Sequence, residues 1–221
     1  MPYRREIFAE DVYYHIFNRS VASERIFYQK ANLTRALELI NFYRFPSDIS
    51  YSHLGNLTAS VREMRLRQIM KETPLVEILA FSLMPTHFHF VIKQQINDGI
   101  VTFLKKLQGS YGLYYNIRSG RHGAVFSNRF KAVFIESEEQ LVHVVRYVEL
   151  NPVTGHLIQI DDLQDCFYTS FTTYMGKHIH PFVSTEVILN YFKTKENYRD
   201  FVFSHAEYQR SLAEIKNLLM D

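Results

Sequence analysis

The amino-acid sequence predicts an α+β fold, a mainly antiparallel sheet with helices packed on it. Three observations predict it. A chain of 221 residues, 47% hydrophobic and 22% charged, is apolar enough to bury a globular core, which excludes disordered and collagen-like classes. Two short apolar runs flank Met84-Pro85-Thr86, and Pro85 forbids a continuous helix there, so they read as two strands joined by a tight turn. Apolar residues at helical spacing fill the segments between strand-like runs, giving the order strand, helix, helix, strand, strand, helix, strand, helix.

From the N-terminus, residues 11–18 (DVYYHIFN) alternate roughly as a half-buried strand does, and Arg19-Ser20 closes it. Residues 31–43 place Leu33, Leu37, Ile40 and Tyr43 on a helical stripe that Pro46 and Asp48 break. A second helix over 57–71 has Thr58 as its cap and Arg62, Arg65, Arg67 and Lys71 as a basic face. Residues 75–83 and 87–93 are the strand pair. Residues 97–117 form a longer helix through Ile100, Phe103, Leu104, Leu107 and Tyr111, ended by the loop SGRHG. The segment 124–135 is extended. Ser137 opens a capping box, and the helix over 137–150 that follows stops at Asn151-Pro152. Beyond about residue 161 come short aromatic helices and turns, and 197–221 is polar and helical.

Composition narrows the function. Lys+Arg 25 against Asp+Glu 23 leaves a formal charge of +2, which excludes a uniformly cationic coat for nucleic acid. The single cysteine, Cys166, excludes an intramolecular disulfide framework and multi-cysteine zinc or iron–sulfur sites, and it suits a reducing compartment. No apolar run reaches the roughly 18 residues needed to cross a bilayer, and MPYRREIFAE lacks a signal-peptide core. The expectation is a cytoplasmic protein with no membrane partner. GxSxG, Walker A and dinucleotide fingerprints are missing from the sequence, which argues against the enzyme classes that use them.

Three constellations could carry chemistry. On a strand, His87 and His89 point to one face with Phe88 on the other, so the two imidazoles can share a cation; two histidines hydrogen-bonding at a sheet surface give the same pattern. On the helix over 137–150, His143, Tyr147 and Asn151 recur every four residues with Arg146 beside them, a stripe that a half-exposed structural face would also show. Between Asp98 and Glu136 no acidic residue occurs, while Lys105, Lys106, Arg118, Arg121, Arg129 and Lys131 alternate with Tyr111, Tyr114, Tyr115, His122, Phe126 and Phe130. Cations neutralise phosphates and aromatic faces accept unstacked bases, so this stretch suits a single-stranded nucleic acid; a solvated helix face with a basic loop is the alternative.

SLMPTHFHFVIK, SNRFKAVFIES and RYVELNPV, in this order, resemble three motifs of the single-tyrosine HUH transposases, which include the REP-associated tyrosine transposases. VYYHIFNRSVASERIF and YTSFTTYMG resemble the first strand and the downstream aromatic block of that family, so the likeness runs from about 11 to 176. It implies a ferredoxin-like palm, a divalent metal (Mg²⁺ or Mn²⁺) held by His87, His89 and Asn151, and Tyr147 as the nucleophile. The implied activity is a single-stranded DNA endonuclease and strand transferase that forms a 5′-phosphotyrosine. His143 is a candidate base or outer partner of the site. Lys105, Lys106, Tyr111, Arg118, Arg121, Arg129, Lys131 and Arg146 are candidate DNA contacts. The expected partners are single-stranded or hairpin DNA, and the wider family includes homodimers. The catalytic domain would span 1–160 with an insertion at about 44–74, and 161–221 would pack on it as a helical extension. Thr86 stands where the family has Asn, Asn128 where it has Gly, and VTGHLI after Pro152 lacks a basic residue of the family pattern. A nucleic-acid-binding protein without catalysis on the same fold is the main alternative, and a metal-dependent hydrolase of small substrates is a third.

Overall fold

The computed structural model describes residues 8–127, 129–206 and 209. Its elements are β1 (Tyr13–Arg19), α1 (Lys30–Tyr43), α2 (Tyr51–Gly55), α3 (Ala59–Ile69), β2 (Val76–Met84), β3 (His87–Gln94), α4 (Gly99–Ser119), β4 (Lys131–Phe134), α5 (Glu138–Thr154), α6 (Phe171–Tyr174), α7 (Glu186–Leu189) and α8 (Lys195–Phe203). Pro85 and Thr86 make the turn between β2 and β3, where the sequence places it. The strands form one antiparallel sheet in the order β2-β3-β1-β4. That order, with a helical crossover after β1 and another after β3, is the ferredoxin-like arrangement.

Strand alternation sorts the side chains into two layers. Tyr14 and Ile16 of β1, Phe88, Phe90 and Ile92 of β3, and Phe81 of β2 pack with Leu39 and Ile40 of α1 and Phe103 and Leu107 of α4. On the opposite face, Leu79, Ala80 and Val91 pack with Val145 and Val148 of α5. A bulge lets Leu79 and Ala80 both serve this second layer, since the register shifts between Ile78 and Ala80. The chain after α5 completes that layer with Leu163, Phe171, Tyr174, Tyr198 and Val202.

Helix α5 begins as expected. The Ser137 hydroxyl accepts the Gln140 N–H at 3.1 Å, and Gln140 Oε1 accepts the Glu136 N–H. Such caps contribute about 1 kcal/mol. The C-terminal end departs from expectation: α5 continues through Pro152 to Thr154 instead of stopping at Asn151. Pro152 cannot donate to the Val148 carbonyl one turn back, and Asn151 Nδ2 supplies a substitute donor at 3.3 Å. Thr154 Oγ1 bonds to the Leu150 carbonyl, and the Gly155 N–H closes on the Asn151 carbonyl. One proline in the last turn is thereby tolerated.

The segment after 160 is fastened to α5 by polar groups as well. Glu149, fully buried, accepts hydrogen bonds from Ser170 Oγ at 2.8 Å and from the Tyr198 hydroxyl. The Phe201 carbonyl accepts Arg146 Nη1, and the Tyr147 carbonyl accepts Gln209 Nε2. Of the expected polar helix over 197–221, the structure describes the part in α8 and a few residues after it; the remainder lies outside the described residues. Within 44–74 the basic helix forms as α3, preceded by α2, a short helix that Ser50 caps by accepting the His53 N–H. Among the described residues no helix is long and apolar enough to cross a membrane.

Candidate active site

Antiparallel pairing of β1 with β3 sets Phe17 opposite His89 and Arg19 opposite His87. All four side chains face the α5 side of the sheet, because β1 residues of odd number and β3 residues of odd number share that face. Helix α5 crosses beneath and contributes Tyr147 and Asn151. His15, Phe17, Asn18, Arg19, His87, His89, Ser127, Arg129, Lys131, Tyr147 and Asn151 enclose a cavity of about 540 Å³. Three strands (β1, β3 and β4), one helix and the loop before β4 therefore converge on one place, within one chain.

The three imidazoles are packed closely. The rings of His87 and His89 lie 5.1 Å apart, and those of His15 and His89 lie 5.2 Å apart and nearly parallel. His15 Nε2 is 3.0 Å from His89 Nδ1, and Thr86 Oγ1 is 2.9 Å from His87 Nδ1. Burial lowers the pKa of His15 to about 4; burial and the nearby Arg19 cation lower His87 to about 4. Burial, joined by the neighbouring His15, His87 and Arg19, holds His89 well below the usual histidine range. At neutral pH all three rings are uncharged.

The Tyr147 ring stands edge-on to His15 at 5.7 Å and to His89 at 6.0 Å. It is 41% exposed, so a substrate can reach it, while partial burial raises its hydroxyl pKa above 10. Unassisted, the phenol stays protonated at pH 7. Asn151 is buried, and its amide nitrogen bonds to the Tyr147 carbonyl at 3.0 Å as well as to Val148. Committing the nitrogen in this way leaves Oδ1 as the acceptor end of the amide.

His143 stands apart from this group. It lines no part of this cavity; it bonds to Arg146 Nη2 at 2.7 Å and packs against Phe201. Arg146 is buried, spends its guanidinium on His143 and the Phe201 carbonyl, and stacks over the Phe201 ring at 4.2 Å. It anchors the C-terminal extension and is not an exposed DNA contact.

The acid-free stretch does not form one track either, because the sheet divides it. Lys105, Lys106 and Arg118 belong to α4, on the face opposite the histidines. Lys106 Nζ donates to the Ser47 carbonyl and Arg118 to Gln29 Oε1. Arg121 pairs with Glu24 at 2.9 Å. Tyr111 is 1% exposed and donates its hydroxyl to the Ile26 carbonyl, so it is a core residue and offers no face to a base. Tyr115 is buried as well and donates to Glu24. Of the eight predicted contacts, Arg129 and Lys131 line the cavity. His15, Phe17, Asn18, Arg19 and Ser127 are the cavity residues that the sequence reading missed; strand parity groups His15, Phe17 and Arg19, but their apposition to His87 and His89 depends on a pairing some 70 residues away.

The model of the family "Transposase IS200 like" matches residues 56–151, from the stretch before α3 through both histidines and Tyr147 to Asn151. That stretch of the chain is similar to the IS200-like transposase family. Solved structures compare at the level of fold. A REP-associated tyrosine transposase bound to a REP hairpin superposes with a TM-score of 0.54 at 13% identity, covering 84% of this chain and 92% of that one, a likeness of fold. A Deinococcus radiodurans R1 protein described as a transposase covers 67% of this chain and 96% of its own at 15% identity, with a TM-score of 0.36 that adds no weight. No curated protein sequence matches the chain.

The donor chemistry of this site can be tested against the divalent metal that the resemblance implies. Among the described residues no group of three or more His, Cys, Asp or Glu side chains is placed to hold an ion, and no carboxylate lines the cavity. Two neutral imidazoles and the oxygen of Asn151 are present instead. With their Nδ1 atoms engaged by Thr86 and His15 respectively, His87 and His89 each retain Nε2 as a potential ligand atom. This set fits a borderline cation such as Mn²⁺ better than Mg²⁺, which prefers oxygen. The residues fit the group.

Proposed function

We propose that this protein is a transposase-like, metal-dependent single-stranded DNA endonuclease and strand transferase in which Tyr147 forms a 5′-phosphotyrosine. The observation that carries the reading is the convergence of Tyr147, Asn151, His87 and His89 on one cavity. The structurally similar REP-associated tyrosine transposase, solved with a REP hairpin bound, supports hairpin DNA as the substrate.

His87, His89 and Asn151 would hold the cation. When bound, it would supply positive charge that eases deprotonation of a phenol and offsets charge on the phosphate. Arg19, Arg129 and Lys131 line the same cavity and neutralise the neighbouring phosphates of the strand. Phe17, half-buried beside the His89 ring at 5.6 Å, offers an apolar face to a base. The Tyr147 oxygen attacks the scissile phosphorus as its proton passes to solvent, an O–P bond forms on the tyrosine, and the bond to the 3′ oxygen breaks, that oxygen taking a proton from solvent to leave a 3′-hydroxyl. A covalent link retains the phosphodiester energy, so a second 3′-hydroxyl can reverse the step and join strands.

The test is a hairpin oligonucleotide with a single-stranded flank, incubated with Mn²⁺ or Mg²⁺ and resolved on a denaturing gel. The reading expects a DNA-linked protein band that EDTA prevents. Binding of the same DNA without a covalent band under either metal would favour a non-catalytic role.

A further inference from the structure

We propose that His15 is a positioning residue of the cation site: by accepting the Nδ1 proton of His89, it leaves the lone pair of His89 on Nε2. A neutral imidazole carries one N–H and one acceptor nitrogen. His15 Nε2 and His89 Nδ1 are 3.0 Å apart, so one of them donates to the other. If His15 donated, the remaining proton of His89 would sit on Nε2 and block that atom as a ligand. If His89 donates, its Nε2 is bare and His15 carries its own proton on Nδ1. Only the second arrangement offers a ligand.

Thr86 acts at His87 as His15 acts at His89. Its Oγ1, 2.9 Å from His87 Nδ1, can accept that proton and leave Nε2 bare. Both histidines thus have an acceptor on the same ring atom, one from the neighbouring strand and one from the preceding turn residue. The His15 ring is itself held in place, with Phe17 at 5.2 Å, His89 at 5.2 Å and the edge of Tyr147 at 5.7 Å. Since its Nε2 is engaged by His89, His15 supports a ligand and is not itself one. Outer partners of this kind typically change metal affinity 10–100-fold.

This inference rests on His87 and His89 holding a cation, and the experiment separates the two claims. In full-length metal-free protein, long-range ¹H–¹⁵N correlation of the imidazoles reads each tautomer, and Mn²⁺ titration followed by electron paramagnetic resonance reads affinity. Wild type should show His87 and His89 protonated on Nδ1. His15→Phe, which keeps a ring but removes the acceptor, should shift His89 toward the Nε2–H form and raise the Mn²⁺ dissociation constant at least tenfold. His15→Gln, whose Oε1 can accept, should stay within about threefold of wild type. A wild-type His89 protonated on Nε2, or a His15→Phe protein with wild-type Mn²⁺ affinity, would overturn the proposal. Wild-type protein that binds no Mn²⁺ while showing the expected tautomers would instead overturn the cation assignment and leave the role of His15 in setting the tautomer standing.

Discussion

Asn151 Nδ2 lies 3.3 Å from the carbonyl oxygen of Val148, the acceptor that Pro152 leaves without its helical donor. The proline and the asparagine therefore work as a pair. The missing N–H of one draws in the amide nitrogen of the other, and the amide oxygen is left as the end available to a cation. Tyr147 is part of the same device, because its carbonyl accepts the same amide at 3.0 Å. The proposed nucleophile and the proposed ligand sit one turn apart on α5 with their relative orientation set by hydrogen bonds.

Pro152→Ala restores the backbone donor to Val148 and releases the Asn151 amide. The helix should be as stable or more so, by up to about 1 kcal/mol. Mn²⁺ affinity and the rate of covalent adduct formation should fall several-fold. Thermal melting and Mn²⁺ titration read the two effects, and a stability gain with unchanged Mn²⁺ affinity would break the link between Pro152 and Asn151.

Lys131 and Lys105 lie on opposite faces of the sheet, which makes their contributions to DNA binding unequal. Lys131→Ala should weaken binding of a single-stranded oligonucleotide and reduce the salt slope of its affinity by about one ion, whereas Lys105→Ala should leave both unchanged. Fluorescence anisotropy at several salt concentrations distinguishes them. Equal losses would restore a track along α4.

Glu149 predicts a pH dependence of stability. Burial raises its pKa from 4.5 to about 8, against the lowering effect of its hydrogen bonds from Tyr198 and Ser170. Between those values the folded state holds a proton that the unfolded state releases, so stability falls as pH rises, by up to about 1.4 kcal/mol per unit, and levels off above about 8. The buried histidines act in the opposite sense, with stability lost as pH falls from their unfolded pKa of 6.5 toward about 4. The histidine contribution is common to wild type and Glu149→Gln, so the difference between the two proteins in denaturant unfolding at pH 6.5 and 8 isolates Glu149. Wild type should lose stability relative to Glu149→Gln over that range, and an unchanged difference between the two would contradict the buried, protonated carboxyl.

Much of this site is legible in local sequence. Alternation puts His87 and His89 on one face of a strand, and four-residue spacing puts Tyr147 and Asn151 on one face of a helix. Ser137 announces where that helix begins. Long-range pairing is what the sequence conceals. His15 reaches His89 only through the register of β1 on β3, and the acid-free run is continuous in sequence but cut in space by the sheet, which buries Tyr111 and sends Lys105 to the far side. Arg146 is misread for a related reason: its partner Phe201 arrives from a segment 55 residues later. Pro152 is misread because a neighbouring side chain replaces the donor it lacks.

The most direct test of the account is the tyrosine itself. Tyr147 is 41% exposed, so removing its hydroxyl should change stability by no more than about 0.5 kcal/mol. With hairpin DNA and Mn²⁺, the wild-type protein should give a covalent protein–DNA band, and Tyr147→Phe should give none while still binding the DNA. A covalent band of wild-type intensity from Tyr147→Phe would contradict the account.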